Sequence, residues 1–290
     1  MRTAPSTDLS RPASGVTRFA VIRLILATLA VLVPVVLVMV LARQIPDKAL
    51  RAFWPQLLAA LVAIGGYLWY VKKIERRPPL ELAGPRAWSE FGAGVLIGTA
   101  LFLATLAILA AFGSYRLTGS GVWTSMLKPL AEMIMVAVIE ELLFRGILLR
   151  ILERPLGTWG ALAITSILFA LGHLPNDGIT ALAVGTTAVA GLMLGAAYLA
   201  TRRLWLTIGL HFAWNFVSDG VFSLPVSGHA AKGFLQGQLS GPQWLSGGAY
   251  GVEASIVTLV LTTIVSVLLL RHAVQKGHAP LTLPNPRSAP

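Results

Sequence analysis

Two adjacent glutamates, Glu140 and Glu141, stand inside an apolar run that extends from residue 129 to residue 149. A run of this length can cross the hydrocarbon core of a bilayer as a single helix. An ionised side chain near the bilayer centre is costly, and residues of this kind are usually paired, placed along a pathway or used in a reaction. Any fold of this chain must therefore give two buried carboxylates a role.

The composition places most of the chain in a membrane. Of its 290 residues, 56% are hydrophobic and only 12% are charged, compared with about 25% charged in a typical soluble domain. Apolar runs of about 17 to 25 residues predict an all-α, polytopic membrane protein of about eight transmembrane helices. An active site built on the two acids would lie inside the helix bundle. The predicted spans are 22–42, 52–71, 91–112, 129–149, 158–174, 180–200, 204–221 and 252–270.

The net charge of +11 is explained by membrane topology. With both termini in the cytoplasm, sixteen of the 23 Lys and Arg residues fall on the cytoplasmic side, Lys128 at a helix mouth and Arg145 within a span. The outer side carries five, namely Arg43, Lys48, Arg51, Arg116 and Lys232. This distribution follows the positive-inside rule and predicts a multi-pass protein of the cell membrane. Nucleic-acid binding is not needed to explain the basic charge.

The chain divides by composition into leading spans, a charged core and a last span. Residues 1–18 predict a disordered cytoplasmic N-terminus, and 19–128 hold leading helices and linkers, with a cytoplasmic linker at 72–79. Residues 129–221 form the core that carries the buried charges. The Gly, Ser and Pro content of 222–251 predicts an outer loop without a folded insert. A last span at 252–271 precedes a tail, 272–290, that is predicted to be disordered.

The spacing of the acids on the fourth predicted helix separates their roles. Glu140 lies about 15 Å from either end of its span, near the bilayer centre. Glu141 and Arg145 are four residues apart with the acid first, the favourable order for an ion pair on one helix face. Glu140 is rotated by about 100° from Glu141 and needs another partner. The pattern favours a chemical role for Glu140 and a structural role for Glu141, although two structural pairs remain the alternative.

Two later apolar spans contribute histidines. His173 is in the last turn before Pro175, four residues after Phe169, where a capping role competes with a chemical one. His211 and Asn215 are spaced to share one helix face. Their N–H groups could hold a carbonyl oxygen as negative charge develops on it, while the alternative is an interhelical hydrogen-bonded pair.

The motifs Glu140-Glu141-x-x-x-Arg145, Phe169-x-x-x-His173 and His211-x-x-x-Asn215 occur in this order on three apolar helices. This arrangement resembles the CPBP family of CAAX proteases and bacteriocin-processing enzymes, whose best-known branch is the type II CAAX prenyl endopeptidase. The resemblance covers about residues 129–220 and implies an eight-helix intramembrane endopeptidase. It also implies a membrane-embedded or lipidated peptide or protein as substrate, within the lipid bilayer.

The resemblance assigns roles at the matching positions. It implies that Glu140 and His173 activate water, and that His211 and Asn215 stabilise the oxyanion. Glu141 and Arg145 would form a supporting ion pair, and Phe169 would support the site. The leading helices and the outer loop match no pattern that would identify the substrate.

The need for a metal and the existence of an activity remain open at this point. Zinc is possible, with Glu140, His173 and His211 as ligands. However, the chain has no cysteine and no His-Glu-x-x-His motif, which favours a metal-free, glutamic-type site without a cofactor. The alternatives to a protease are a proton-coupled transporter, which the absence of internal repeats disfavours, and a noncatalytic membrane scaffold or immunity factor.

Overall fold

The computed structural model describes residues 19–279, and it is built almost entirely of helices. The predicted disorder of 1–18 lies outside the described residues. The α-helices are α1 (Ala20–Ala42), α2 (Lys48–Trp69), α3 (Ala87–Ala111), α4 (Leu127–Glu141), α5 (Arg150–Gly172), α6 (Ala181–Thr201), α7 (Trp205–Phe216), the short α8 (Gln243–Ser246) and α9 (Ile256–Gln275). The strands are β1 (Tyr115–Ser120) and β2 (Leu235–Leu239).

Three of the helices continue as π-helix, in which one extra residue is accommodated in each hydrogen-bonded turn. These extensions are Tyr70–Ile74 after α2, Leu142–Leu149 after α4 and Val217–Val221 after α7. Short 3-10 turns cover Leu80–Leu82, Trp123–Met126, Gly248–Tyr250 and Val252–Ala254. Each of the eight predicted spans therefore coincides with helical structure.

The described chain contains five helices that are long and apolar enough to cross a membrane. They are Ala20–Ala42, Lys48–Ile74, Ala87–Ala111, Ala181–Thr201 and Ile256–Gln275. The other three predicted spans are the ones that carry the candidate site, and they are shorter or contain several charged residues. The all-α membrane architecture is confirmed, with an outward face on α1 that exposes Leu29, Val33 and Leu37 as expected for a lipid contact.

The predicted break between the fourth and fifth spans is wrong in one respect. Helical structure runs without interruption from α4 through its π segment into α5, so residues 150–156 are helical and do not form a loop. The chain bends only at Gly157, whose φ of 70° and ψ of 168° lie outside the helical region. Glycine tolerates this positive φ because it has no Cβ. The two spans are thus joined through a kink.

The prediction that 222–251 contains no folded insert is also wrong. Strand β2 of this segment pairs antiparallel with β1, which lies between α3 and α4. Leu224, Val226 and Tyr250 are buried, and Glu253 accepts hydrogen bonds from the Ser227 backbone N–H (2.6 Å) and hydroxyl (2.7 Å). The glycine content reflects tight turns and close backbone approaches. The segment is a packed cap on one end of the bundle.

The C-terminal prediction needs a similar correction up to residue 279. Helix α9 continues to Gln275, and Ala273 and Ala279 are buried. The backbone carbonyl of His278 accepts a hydrogen bond from Arg202, and its Nδ1 lies 3.0 Å from the Leu199 carbonyl oxygen. Residues 272–279 are therefore ordered against α6, while 280–290 lie outside the described part of the chain.

Glycines bring α3 and α7 into close contact. A Cβ added at Gly94 would collide with the carbonyl oxygen of Leu206, and one at Gly98 with that of Leu210. On the other helix, a Cβ at Gly209 would collide with the carbonyl oxygen of Phe91. The Gly94-x-x-x-Gly98 spacing thus serves the close helix approach that such motifs permit. This contact fixes the position of the helix that carries His211.

An ion-pair cluster ties the leading helices to the core at the opposite end from the cap. Glu75, just beyond the π segment of α2, contacts Arg23 of α1 (2.7 Å), Arg77 (2.7 Å) and Arg150 of α5 (3.0 Å). Burial opposes ionisation of the Glu75 carboxyl, but Arg150, Arg23 and Arg77 outweigh it and lower the pKa of this group to about 2. Glu75 therefore carries a negative charge at neutral pH and joins three helices.

Candidate functional site

A cavity of about 690 Å³ lies inside the bundle, and the predicted site residues line it together. Glu140 faces it from α4, His173 from the end of α5, and His211 and Asn215 from α7. Phe169 of α5 contributes an aromatic wall. The structure thus brings together, from three helices, the four side chains that the sequence singled out.

Glu141 does not line the cavity, but its carboxylate lies behind the cavity wall and contacts His211, which does line it. Its side chain is fully buried, and Oε1 accepts a hydrogen bond from Arg145 Nη1 at 2.8 Å. The ion pair expected from the i, i+4 spacing is present. The same Oε1 lies 2.8 Å from His211 Nδ1, and Oε2 lies 2.8 Å from the Thr207 hydroxyl. One carboxylate therefore holds α4 against two consecutive turns of α7.

The change from α- to π-helix immediately after Glu141 sets the position of Arg145. Its guanidinium carbon lies 4.9 Å from the centre of the Phe169 ring, and Nη2 donates to the Gly191 carbonyl of α6 at 2.8 Å. Such π segments are rare and frequent at functional sites. Arg145 is buried with 2% of its side chain exposed, so the cation is fully enclosed by Glu141, an aromatic face and a carbonyl. Arg145 thus packs behind Phe169, which lines the cavity, and does not line the cavity itself.

His211 is held by Glu141 so that its other nitrogen faces Glu140. A carboxylate oxygen only accepts, so Nδ1 of His211 carries the proton in the bond to Glu141. Nε2 lies 3.9 Å from Glu140 Oε2, which is too long for a hydrogen bond and leaves both atoms available to a third group. The two carboxylates thus differ in environment. Glu141 is hydrogen-bonded through both oxygens, whereas Glu140 faces the cavity.

Glu140 has an oxygen without a partner. Oε2 is buried and, within residues 19–279, makes no hydrogen bond, although 27% of the side chain is exposed towards the cavity. A buried polar atom without a partner is costly and uncommon in folded proteins. Its orientation towards an open space of this size indicates that a water molecule or a ligand satisfies it.

His173 occupies the C-cap position of α5, so the capping interpretation is correct as far as it goes. Nδ1 lies 2.8 Å from the carbonyl oxygen of Phe169, one turn earlier, and donates to it. This fixes the tautomer and leaves Nε2 free to accept a hydrogen bond. The ring packs 4.7 Å from that of Phe169. Capping and lining the cavity are therefore compatible functions of one residue.

Sequence reasoning missed several residues at or behind the cavity wall. Thr207, which binds Glu141 behind the wall, stands four residues before His211, and a search of that helix face for polar residues would have found it. Asn176, His229 and Glu253 line the cavity itself, but they come from turns and the outer cap, where sequence periodicity gives no signal. Glu253 accepts from Trp214 Nε1 at 2.9 Å and so attaches the cap to α7. His229, which had no predicted role, is at the cavity wall.

The donor set does not fit a zinc ion. Across residues 19–279, no three His, Asp or Glu side chains converge closely enough to hold a metal together. The Nδ1 atoms of His173 and His211 are committed to Phe169 and Glu141. Glu140, His173 and His211 thus share a cavity without forming a ligand set. The prediction of a metal-free, cofactor-free reaction stays a prediction.

These features define a class of protein: a polytopic helical membrane protein with a Glu, His and Asn constellation enclosed in the bundle. Residues 122–217 match a family model described as type II CAAX prenyl endopeptidase Rce1-like. The similarity to CAAX proteases extends over this segment of the chain. No curated protein matches the chain closely enough to be named as a relative.

Proposed function

We propose that this protein is an intramembrane endopeptidase of the glutamic type that hydrolyses peptide bonds in membrane-embedded or lipidated substrates. The observation that carries the proposal is the unpartnered carboxylate oxygen of Glu140, which faces a large cavity beside an anchored histidine. The family match, to a type II CAAX prenyl endopeptidase, points to the same reaction. A site enclosed by apolar helices selects substrates that enter the bilayer.

Hydrolysis begins with the activation of water. In the proposed mechanism, Glu140 Oε2 accepts a proton from a water molecule in the cavity, and the resulting hydroxide attacks the carbonyl carbon. Nε2 of His173, whose Nδ1 is bound to Phe169, accepts a hydrogen bond from the same water and orients it. The proton held by Glu140 then passes to the leaving amine.

The opposite wall of the cavity supplies the donors for the tetrahedral intermediate. In this mechanism His211 is an imidazolium whose Nδ1–H stays bound to Glu141 and whose Nε2–H donates to the oxyanion, together with the Asn215 amide one helical turn away. Glu141 holds the ring through Nδ1, so the donor does not reorganise during the reaction. Arg145 balances the charge of Glu141 and, in this mechanism, touches no substrate.

The test uses purified protein in a nonionic detergent and quenched fluorescent peptides, one farnesylated and others resembling unmodified transmembrane segments. The variant Glu140→Gln keeps the size of the side chain and removes the base, and we expect cleavage to fall by about 10²- to 10⁴-fold. Asn215→Ala is expected to cost about 10²- to 10³-fold as a lost oxyanion donor. The matched control is Glu90→Gln, because Glu90 pairs with Arg203 outside the cavity.

Parallel reactions with a chelator distinguish the two chemical types. Cleavage that resists chelation and disappears in Glu140→Gln supports the glutamic mechanism, whereas cleavage lost on chelation overturns it in favour of a metal. Equal cleavage by wild type and Glu140→Gln would refute the assignment of the base. A biological function retained in Glu140→Gln would favour a noncatalytic scaffold.

A further inference from the structure

A second, smaller pocket adjoins the site cavity at the end of the bundle covered by the cap. Its volume is about 370 Å³, and its lining includes Arg43 at the end of α1, Lys48 and Arg51 at the start of α2, and Lys128 at the start of α4. We name these four residues the basic vestibule. Three of them belong to the five cations that the topology assigns to the outer side, so this pocket gathers most of that side's positive charge.

The charge of the basic vestibule is poorly neutralised. No acidic residue lines this pocket within the described chain, and neither Arg43 nor Lys48 contacts a carboxylate there. Lys128 pairs with Glu132 at 3.2 Å, but 63% of the Lys128 side chain is exposed, so this pair is weak. The nearby Asp47 carboxylate accepts from the backbone N–H groups of Ala49 and Leu50, in its own helix cap. The positive charge of the vestibule therefore favours binding of an anion from outside the protein.

The basic vestibule is continuous with the candidate active site. Met39, Gln56 and Lys128 line both spaces. Along α4, Lys128, Glu132, Val136 and Glu140 are spaced four residues apart and all line the larger cavity, so one helix face leads from the vestibule to the proposed base. The twelve residues from Lys128 to Glu140 correspond to about 18 Å of helix. An extended peptide covers that distance with about five or six residues.

We infer that the basic vestibule binds an acidic segment of the substrate, about five or six residues from the peptide bond that is cut. This inference rests on the proposed function and specifies its substrate class: an apolar, membrane-associated chain that carries aspartates, glutamates or its terminal carboxylate at that distance. The continuity of the two spaces favours a substrate chain over a lipid headgroup, because one extended occupant fills both.

Binding is measured on the Glu140→Gln protein, so that the result does not depend on hydrolysis. The probes are an apolar peptide with an aspartate run about six residues from its centre and the same peptide with asparagines, each with an uncharged fluorophore. Two exposed ion pairs are individually weak, so we expect the acidic peptide to bind roughly 2- to 30-fold more tightly. The preference should shrink in 1 M salt, where the screening length is about 3 Å.

The charge-neutral double variant Arg43→Gln/Lys48→Gln should abolish this preference. Arg116→Gln/Lys232→Gln is the matched control, because it removes the same charge from the same end of the bundle without touching the pocket. In protein with Glu140 intact, the preference should appear in KM with little change in kcat, as expected for binding that does not change in the transition state.

Equal binding of the two peptides, or a preference that survives Arg43→Gln/Lys48→Gln, would overturn the inference. If the two peptides bind equally and Arg43→Gln/Lys48→Gln loses phosphatidylglycerol binding, the inference is also overturned, and the vestibule is assigned to a lipid headgroup. Cleavage without any charge preference would leave the proposed hydrolysis standing and remove only this inference. Charge-dependent binding without cleavage of any peptide would support the anion-binding role of the vestibule and count against the proposed hydrolysis.

Discussion

Replacement of Glu141 by glutamine tests how the buried ion pair supports the site. The carboxylate is fully buried and accepts from Arg145 while lying 2.8 Å from both His211 Nδ1 and the Thr207 hydroxyl. Glu141→Gln removes the negative charge and leaves Arg145, with 2% of its side chain exposed, as an uncompensated buried cation. Breaking one side of a buried pair costs about 3–5 kcal/mol, so we expect a loss of this order.

The assay is thermal unfolding in detergent, followed through the fluorescence of the protein's eight tryptophans. Glu132→Gln is the control on the same helix, because its pair with Lys128 is partly exposed and should change stability by less than about 1 kcal/mol. The double variant Glu141→Gln/Arg145→Met removes both charges and should recover most of the lost stability, since apolar replacements of whole buried pairs are often neutral.

Activity separates the two roles of Glu141. The stabilised double variant still lacks the carboxylate that holds His211, so its peptide cleavage should stay low even where the protein is fully folded. A Glu141→Gln protein as stable as wild type, or a double variant no more stable than the single one, would refute the ion-pair reasoning. Full activity in the double variant would show that His211 does not need this anchor.

Three further outcomes follow from contacts elsewhere in the fold. Glu75 has its pKa lowered from 4.5 to about 2, so its stabilisation of about 3 kcal/mol is present above pH 4.5 and is lost as the pH falls towards 2. Unfolding temperatures measured across that range should fall less steeply in Glu75→Gln, and parallel curves would contradict this. Gly94→Ala should destabilise by about 1–3 kcal/mol because the new methyl group collides with α7, whereas Gly92→Ala, which meets nothing within 4 Å, should be neutral or stabilising in the same thermal assay. Glu253→Ala should release the cap, because the Ser227 N–H and hydroxyl lose their acceptor, and hydrogen exchange over 222–251 should rise; unchanged exchange would show that the cap is held by its other contacts.

The membrane fold could be predicted because its signal is local. Each apolar run of sufficient length becomes a helix, since the lipid offers no other partner for backbone polar groups. The ion pair between Glu141 and Arg145 was predictable for the same reason, because both residues lie on one turn of one helix. Placing Glu140, His173, His211 and Asn215 around one space required the family resemblance in addition to periodicity.

Features that depend on contacts between distant segments could not be predicted. The hydrogen bond between Glu141 and His211 joins residues 70 positions apart, and the spacing of residues within a helix does not predict a contact between two helices. The pairing of β1 with β2 likewise joins two segments that each look like loops on their own. The uninterrupted helix across 142–156 was missed because charged residues at 150 and 153–154 end the apolar run, whereas Glu153 pairs with Arg202 and stays within the helix.

The ion-pair cluster around Glu75 shows which part of this chain has to fold together. The segment that the family model detects, 122–217, contains every residue to which we assign chemistry. It nevertheless depends on its neighbours: Tyr67 of α2 donates to the Gly146 carbonyl at 3.1 Å, and Glu75 binds Arg150. A fragment cut to the detected boundaries would lose both contacts and expose the side of α4 that α2 covers. The portion that carries the chemistry is therefore smaller than the portion that folds, and any transplant of this site into another scaffold has to bring its first two helices with it.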